Sequence, residues 1–264
     1  MDIGTAKPTP HEQAQAQHHL IDIIDPDYNL TLAEYQDRAY TIIDELHAQG
    51  KVPLLVGGTG QYITAIEEGW SIPRVPPNPD IRAELEQFVV DNDAQALHDR
   101  LQTIDPIAAG KIHPNNVRRV IRALEVYQIT GEPISKLQEK KPPPYHIQRF
   151  GLKLDRDILY PRADARVDAM IEQGFVEEVQ KLLDMGYDRT LPSMSGLGYL
   201  EIAQHLLDDA PLDEAIERTK FSTHEFIRRQ DVWFRGHDNG ILWHNVNELD
   251  VDSIERDLKQ WLEG

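Results

Sequence analysis

Cysteine is absent from all 264 residues. That excludes disulfides, zinc–thiolate centres and cysteine nucleophiles together, so a bound metal would need oxygen or imidazole ligands. No apolar run reaches the roughly 18 residues needed to cross a bilayer. Met1 is followed by Asp2 rather than by a basic and apolar leader, so a cytoplasmic chain with no membrane partner is expected. Positive charge is also scarce: 27 Lys and Arg face 45 Asp and Glu, for a net charge of −18. An indiscriminate polyelectrolyte binder is thereby excluded, because phosphate affinity comes from clustered Lys and Arg, and any nucleic-acid contact must rest on local patches. A hydrophobic fraction of 40% still suffices for a folded core.

Several catalytic signatures are missing as well. Gly-Lys occurs only at Gly50-Lys51 and Gly110-Lys111, followed by Val52 and Ile112, so there is no G-x-x-x-x-G-K-[ST] loop. The 11 histidines form no H-E-x-x-H or other ligand spacing, and no Ser-His-Asp set can be assembled from spacing; structural or hydrogen-bonding roles suit them.

What the chain does contain is an alternation of short apolar runs and helical patterns. The run from His19 to Ile24 reads as a buried strand closed by Asp25-Pro26. Thr31 and Glu34 form a capping box ahead of an apolar stripe that Gly50 ends. Val52-Pro53-Leu54-Leu55-Val56 is apolar throughout, as in a parallel strand covered on both faces, and leads through Gly57-Gly58-Thr59-Gly60 into a new helix. From Pro76 to about Lys141 the pattern is helical only, ending in Pro142-Pro143-Pro144. A strand at 149–154, three helical stretches, a strand at 241–244 and an amphipathic terminal helix follow. The expected organisation is an α/β parallel-sheet core, 1–75 and 145–264, interrupted by a helical insertion at 76–144.

Three features could carry chemistry. Bare amides in the Gly57–Gly60 loop, at a helix start and beside the Thr59 hydroxyl, suit a phosphate, although a tight turn has equal claim to the glycines. Arg118, Arg119 and Arg122 lie beside an apolar face of Val117, Val120, Ile121 and Leu124, a binding ridge or a solvated face in which Arg122 pairs with Glu125. Arg228, Arg229, Gln230, Trp233 and Arg235 mix guanidinium forks with a flat ring, which suits phosphates and unstacked bases; a core role for Trp233 is the stronger alternative. Asp155 to Asp168 interleave both charge signs, and an Arg there could hold a diphosphate.

Taken together, these segments resemble the tRNA dimethylallyltransferase (isopentenyltransferase) family. The resemblance is carried by Met1-Asp2-Ile3-Gly4-Thr5-Ala6-Lys7-Pro8, His18-His19-Leu20-Ile21-Asp22, Val56 to Tyr62, Arg122 to Tyr127, Leu154 to Asp157, Arg162 to Met170, Gly198-Tyr199 and Arg228 to Arg235, in family order. It implies a P-loop NTPase-like α/β core and a helical insertion gripping the anticodon stem-loop of tRNA. The implied reaction transfers a dimethylallyl group from dimethylallyl diphosphate to the exocyclic amine of the adenine 3′ to the anticodon, with the base turned out of its stack. By the same resemblance Gly57, Gly58, Thr59, Gly60 and Arg166 bind the diphosphate, Thr59 and Arg166 being catalytic. Arg82, Arg118, Arg119, Val120, Ile121, Arg122, Arg228, Arg229, Gln230, Trp233 and Arg235 lie along the tRNA. The protein is expected to be a monomer.

The departures are instructive. Family members carry about forty further residues ahead of the Met-Asp-Ile-Gly stretch, the size of one βαβ unit. These hold the first strand, the P-loop with its Mg²⁺-binding hydroxyl, and the Asp proposed as general base. Mg²⁺ is therefore expected from the family while its usual ligand is not among these residues, no metal ligand is assigned here, and these residues alone are expected to be inactive and poorly stable. His224-Glu225 stand where the family usually has Arg-Gln, Ser195 where a basic residue is common, and Asn116 for a common Asp. Two other classes compete: a noncatalytic RNA-binding remnant of the same fold, and a small-molecule nucleotide kinase, which the arginine-rich insertion fits poorly.

Overall fold

The computed structural model describes residues 1–237 and 240–263. In chain order its helices are α1 (Pro10–Gln13), α2 (Leu32–Ala48), α3 (Gly60–Glu67), α4 (Pro79–Asp91), α5 (Ala94–Ile104), α6 (Pro106–Ala109), α7 (Val117–Thr130) and α8 (Ile134–Leu137). They continue with α9 (Arg156–Glu172), α10 (Phe175–Asp184), α11 (Tyr199–Asp208), α12 (Leu212–Gly236) and α13 (Val251–Glu263). Strands β1 (Phe150–Lys153) and β2 (Leu242–Asn245) pair in parallel, Phe150 opposite Leu242 and Lys153 opposite Asn245. The fold is thus α/β with a helical majority and a small parallel sheet. No helix among the described residues is long and apolar enough to cross a membrane.

Two compact units divide the chain. One comprises 1–30, 42–60 and 145–264; the other comprises 31–41 and 61–144, so the insertion expected at 76–144 lies in a unit that also takes in the start of α2 and most of α3.

In the second unit, local signals set the helix boundaries. The Thr31–Glu34 capping box is reciprocal, with Thr31 N–H donating to Glu34 Oε2 at 2.9 Å and Glu34 N–H to Thr31 Oγ1 at 3.2 Å. Pro79 and Pro106 occupy first-turn positions, behind caps Asn78 and Asp105. Gly131 ends α7 at φ +75°, a conformation that favours glycine. Leu85, Leu97, Leu101, Val120, Ile121, Leu124 and Val126 interlock as the core of α4, α5 and α7.

The first unit is built around Phe175, Val179, Leu182, Met194, Tyr199 and Ile202. Glu178 ties the opening residues to it: its carboxylate accepts the N–H groups of Asp2 (2.8 Å), Ile3 (2.9 Å) and Gly4 (3.4 Å), and the Tyr199 hydroxyl (2.5 Å). Burial pushes that carboxyl up, and these donors more than offset it, leaving it below its usual value. Gly4 is required there, since a Cβ would lie 2.3 Å from Phe175 Cε2. Helices α9 and α12 are stapled by Arg156–Asp231 (3.1 Å), Asp164–His224 (2.8 Å) and Asp168–Lys220 (2.8 Å), and Tyr160 stacks on His224 at 4.1 Å between ring centres.

The expected strands at 19–24 and 52–56 are corrected. Leu20 and Asp22 adopt φ +61° and +54°, which no extended strand accommodates. Val52–Val56 has no strand partner among the described residues, and a strand persists only when a neighbour takes its backbone hydrogen bonds. Instead of being covered on both faces, Leu54 is 75% and Val56 88% exposed. Replacing both by Lys is expected to change unfolding free energy by less than about 0.5 kcal/mol while reducing hydrophobic-dye binding; a clear loss of stability in urea titration would show this segment to be packed.

Candidate functional site

The glycine loop leans on α12. Gly58 C=O accepts Gln230 Nε2–H at 2.8 Å, and a Cβ on Gly58 would meet the same nitrogen at 2.2 Å. A Cβ on Gly60 would lie 2.2 Å from Trp233 Cδ1, so the Trp233 indole, itself stacked on His237 at 4.5 Å, lies directly against bare backbone. These glycines therefore do more than turn the chain: two of them admit α12 at close range. Thr59 and Gly57 stay exposed, leaving the hydroxyl accessible to a ligand.

Arg166 lies on α9 with its side chain exposed. The residues that face α12 recur every fourth position, at 156, 160, 164 and 168. Arg166, two positions from Asp164, falls on another face of the helix. Among the described residues it has no hydrogen bond or ion pair, and none joins it to the glycine loop.

The arginines of α7 have different fates. Arg118 and Arg119 are exposed and make no ion pair among the described residues. Arg122 turns inward: Nη1 donates to Glu125 Oε2 at 2.6 Å and Nη2 to Val75 C=O at 2.8 Å. Arg82 joins it from α4, through Nε to Oε1 at 2.8 Å and Nη2 to Oε2 at 3.1 Å, and Asn78 N–H donates to Oε1 at 2.7 Å. Arg82 and Arg122 thus serve first as partners of a carboxylate with no exposed surface, and expose only 39% and 30% of their side chains. Val120 and Ile121 are core residues of α7, 0% and 4% exposed, because they lie on its apolar stripe, so their side chains face the interior of the unit.

On α12 the guanidinium groups are answered by carboxylates. Glu225 pairs with Arg228 (3.4 Å) and Arg229 (4.0 Å), and Asp231 pairs with Arg235 (2.6 Å) while also holding Arg156. Sequence reasoning listed these arginines without their partners, although the i,i+3 and i,i+4 spacing was visible. It also missed Glu178, whose contacts span more than 170 residues and leave no local signal. Among the described residues no group of three or more His, Asp or Glu stands together as metal ligands.

The sequence matches the IPP transferase family over residues 1–237. The chain belongs to that family. This family member is 55% identical to the tRNA dimethylallyltransferase of Chloroflexus aggregans over 243 residues, covering 92% of this chain and 82% of the relative. It is 56% identical to that of a Roseiflexus species over 265 residues, covering 100% and 87%. In shape it is similar to the crystal structure of the tRNA isopentenylpyrophosphate transferase of Bacillus halodurans, with a TM-score of 0.69 and 40% identity over 100% of this chain and 83% of that one. A eukaryotic dimethylallyltransferase acting on tRNA shares the fold at a TM-score of 0.74 and 23% identity, over 97% and 67% of the two chains.

Two expected outcomes follow for this family member. Burial alone would raise the Glu125 carboxyl, but the donors from Arg82, Arg122 and Asn78 overcome it and hold it at about 2, against an ordinary 4.5. A lowered folded-state value stabilises the fold above about pH 4.5, and the benefit fades as pH falls towards 2. Glu125→Gln should therefore cost about 3 kcal/mol near neutral pH and progressively less in acid, read from urea titrations; a cost independent of pH would contradict it. Gln230→Glu keeps the shape but removes the donor, and should speed amide exchange at Gly58 to Gly60 by at least about tenfold, with no change meaning that the loop is held otherwise.

Proposed function

We propose that this chain acts in tRNA modification, as a transferase that moves a dimethylallyl group from dimethylallyl diphosphate to the exocyclic amine of the adenine 3′ to the anticodon. Membership of the IPP transferase family carries the reaction class. The observation that supports the local assignment is the seating of the glycine loop on Gln230 and Trp233, which puts a phosphate-suited loop on the helix that bears Arg228, Arg229 and Arg235.

On this reading the backbone amides of the glycine loop and the Thr59 hydroxyl hold the diphosphate. The Arg166 guanidinium, without a hydrogen bond or ion pair among the described residues, neutralises the charge that grows on the leaving oxygen as the allylic carbon–oxygen bond breaks and the nitrogen–carbon bond forms. Arg118 and Arg119 receive backbone phosphates of the stem-loop, and positioning of the two reactants supplies much of the rate. Mg²⁺ belongs to the family expectation; it would help neutralise the diphosphate, and no step here is routed through it. Such a protein works on tRNA in the cytoplasm, as a monomer.

A second reading, RNA binding without turnover, is favoured by the lack of a G-x-x-x-x-G-K-[ST] loop in these residues, and transfer by 1–264 alone is accordingly expected to be negligible. Titrating the purified chain with an anticodon stem-loop, then adding dimethylallyl diphosphate, tests both. Salt-dependent binding that Arg118→Ala and Arg119→Ala each weaken several-fold, with the slope against salt reduced by about one phosphate contact, is the expected result. No stem-loop binding at low salt would overturn the functional reading, and transfer at ordinary enzymatic rates would overturn the expected inactivity.

A further inference from the structure

The two arginine clusters differ in a way that the functional reading leaves unexplained. Arg118 and Arg119 on α7 make no ion pair among the described residues, whereas each arginine at the end of α12 has a carboxylate three or four residues before it. From His224 to Arg235 three arginines face two acids, so this stretch carries little net positive charge despite its composition. The two acids differ in kind. Asp231 reaches across to Arg156 and helps to hold α9 against α12, a structural duty. Glu225 pairs, among the described residues, with Arg228 and Arg229 of its own helix, at 3.4 and 4.0 Å, with 45% of its side chain exposed.

A contact of that length on an exposed helix face stabilises the fold by a fraction of a kcal/mol at most. Its effect on an incoming anion is larger. Each carboxylate oxygen stands within 4.0 Å of one nitrogen of an arginine that a backbone phosphate would need, and its charge repels the same phosphate. We propose that Glu225 lowers the RNA affinity of α12 by pairing with Arg228 and Arg229 in the free protein, so that an incoming phosphate must displace it. The inference rests on the tRNA reading above. It assigns to Glu225 the task of weakening contacts that carry no base information, for any RNA that reaches this face.

Glu225→Gln keeps the side-chain shape and removes the charge. Fluorescence titrations with the anticodon stem-loop and with a hairpin of unrelated loop sequence should both tighten, by about 3- to 10-fold near physiological salt. The slope of log affinity against log salt should steepen by about 0.7–0.9, the value of one added phosphate contact. Asp252→Asn on α13 changes the net charge equally and should alter neither. Unchanged affinity and slope in Glu225→Gln, or an equal gain in Asp252→Asn, would overturn the inference while leaving the functional reading standing. Failure of both wild type and Glu225→Gln to bind the stem-loop at low salt would overturn both.

Discussion

A single carboxylate organises the arginine-bearing unit. Glu125 lies on the apolar stripe of α7 with no exposed surface, where an unpartnered charge would be strongly unfavourable. Arg82, Arg122 and the Asn78 amide surround it, and in doing so they fix the start of α4 and the segment at Val75 against α7. The requirement to satisfy that charge determines which arginines remain available to a ligand. Two are consumed inside the unit, and Arg118 and Arg119, one and two positions along the helix from its N-terminal residue, are left facing solvent.

The other unit uses the same chemistry with a different partner set. Glu178 takes backbone N–H groups rather than guanidinium groups, and so orders a stretch of chain that forms no regular element of its own. Ion pairs across α9 and α12 then hold α12, whose far turns carry the contacts to Gly58 and Gly60. Charge balance, rather than apolar area alone, places both candidate binding elements in this acidic protein.

Helices were legible in the sequence because their signals are local. The Thr31–Glu34 box, Pro79, Asp105-Pro106 and Gly131 each mark a boundary that the structure respects. The strand expected at 19–24 failed for a non-local reason: apolar character says that a segment wants cover, but strand geometry needs a hydrogen-bonding neighbour, and Leu20 and Asp22 turn left-handed instead. For the site, the residue types were readable and their allegiances only in part. The pairing of Arg122 with Glu125 is visible in its spacing of three, whereas Arg82, forty-three residues upstream of that acid, gives no local sign that it joins the same carboxylate. The resemblance marks a stretch of helix, whereas helical periodicity sends only part of that stretch to the surface and turns the Val120 and Ile121 side chains into the core.

Lys7 gives the left-handed residues a further meaning. A non-glycine residue in that region costs about 1–2 kcal/mol, and two stand one residue apart at Leu20 and Asp22. The ammonium of Lys7, clasped between the carboxylates of Asp2 and Asp22, ties the second of these residues to the start of the chain. With both carboxylates 65% exposed, the clasp offsets only part of that cost, so the bend is a shape its own backbone does not favour and charge holds in part.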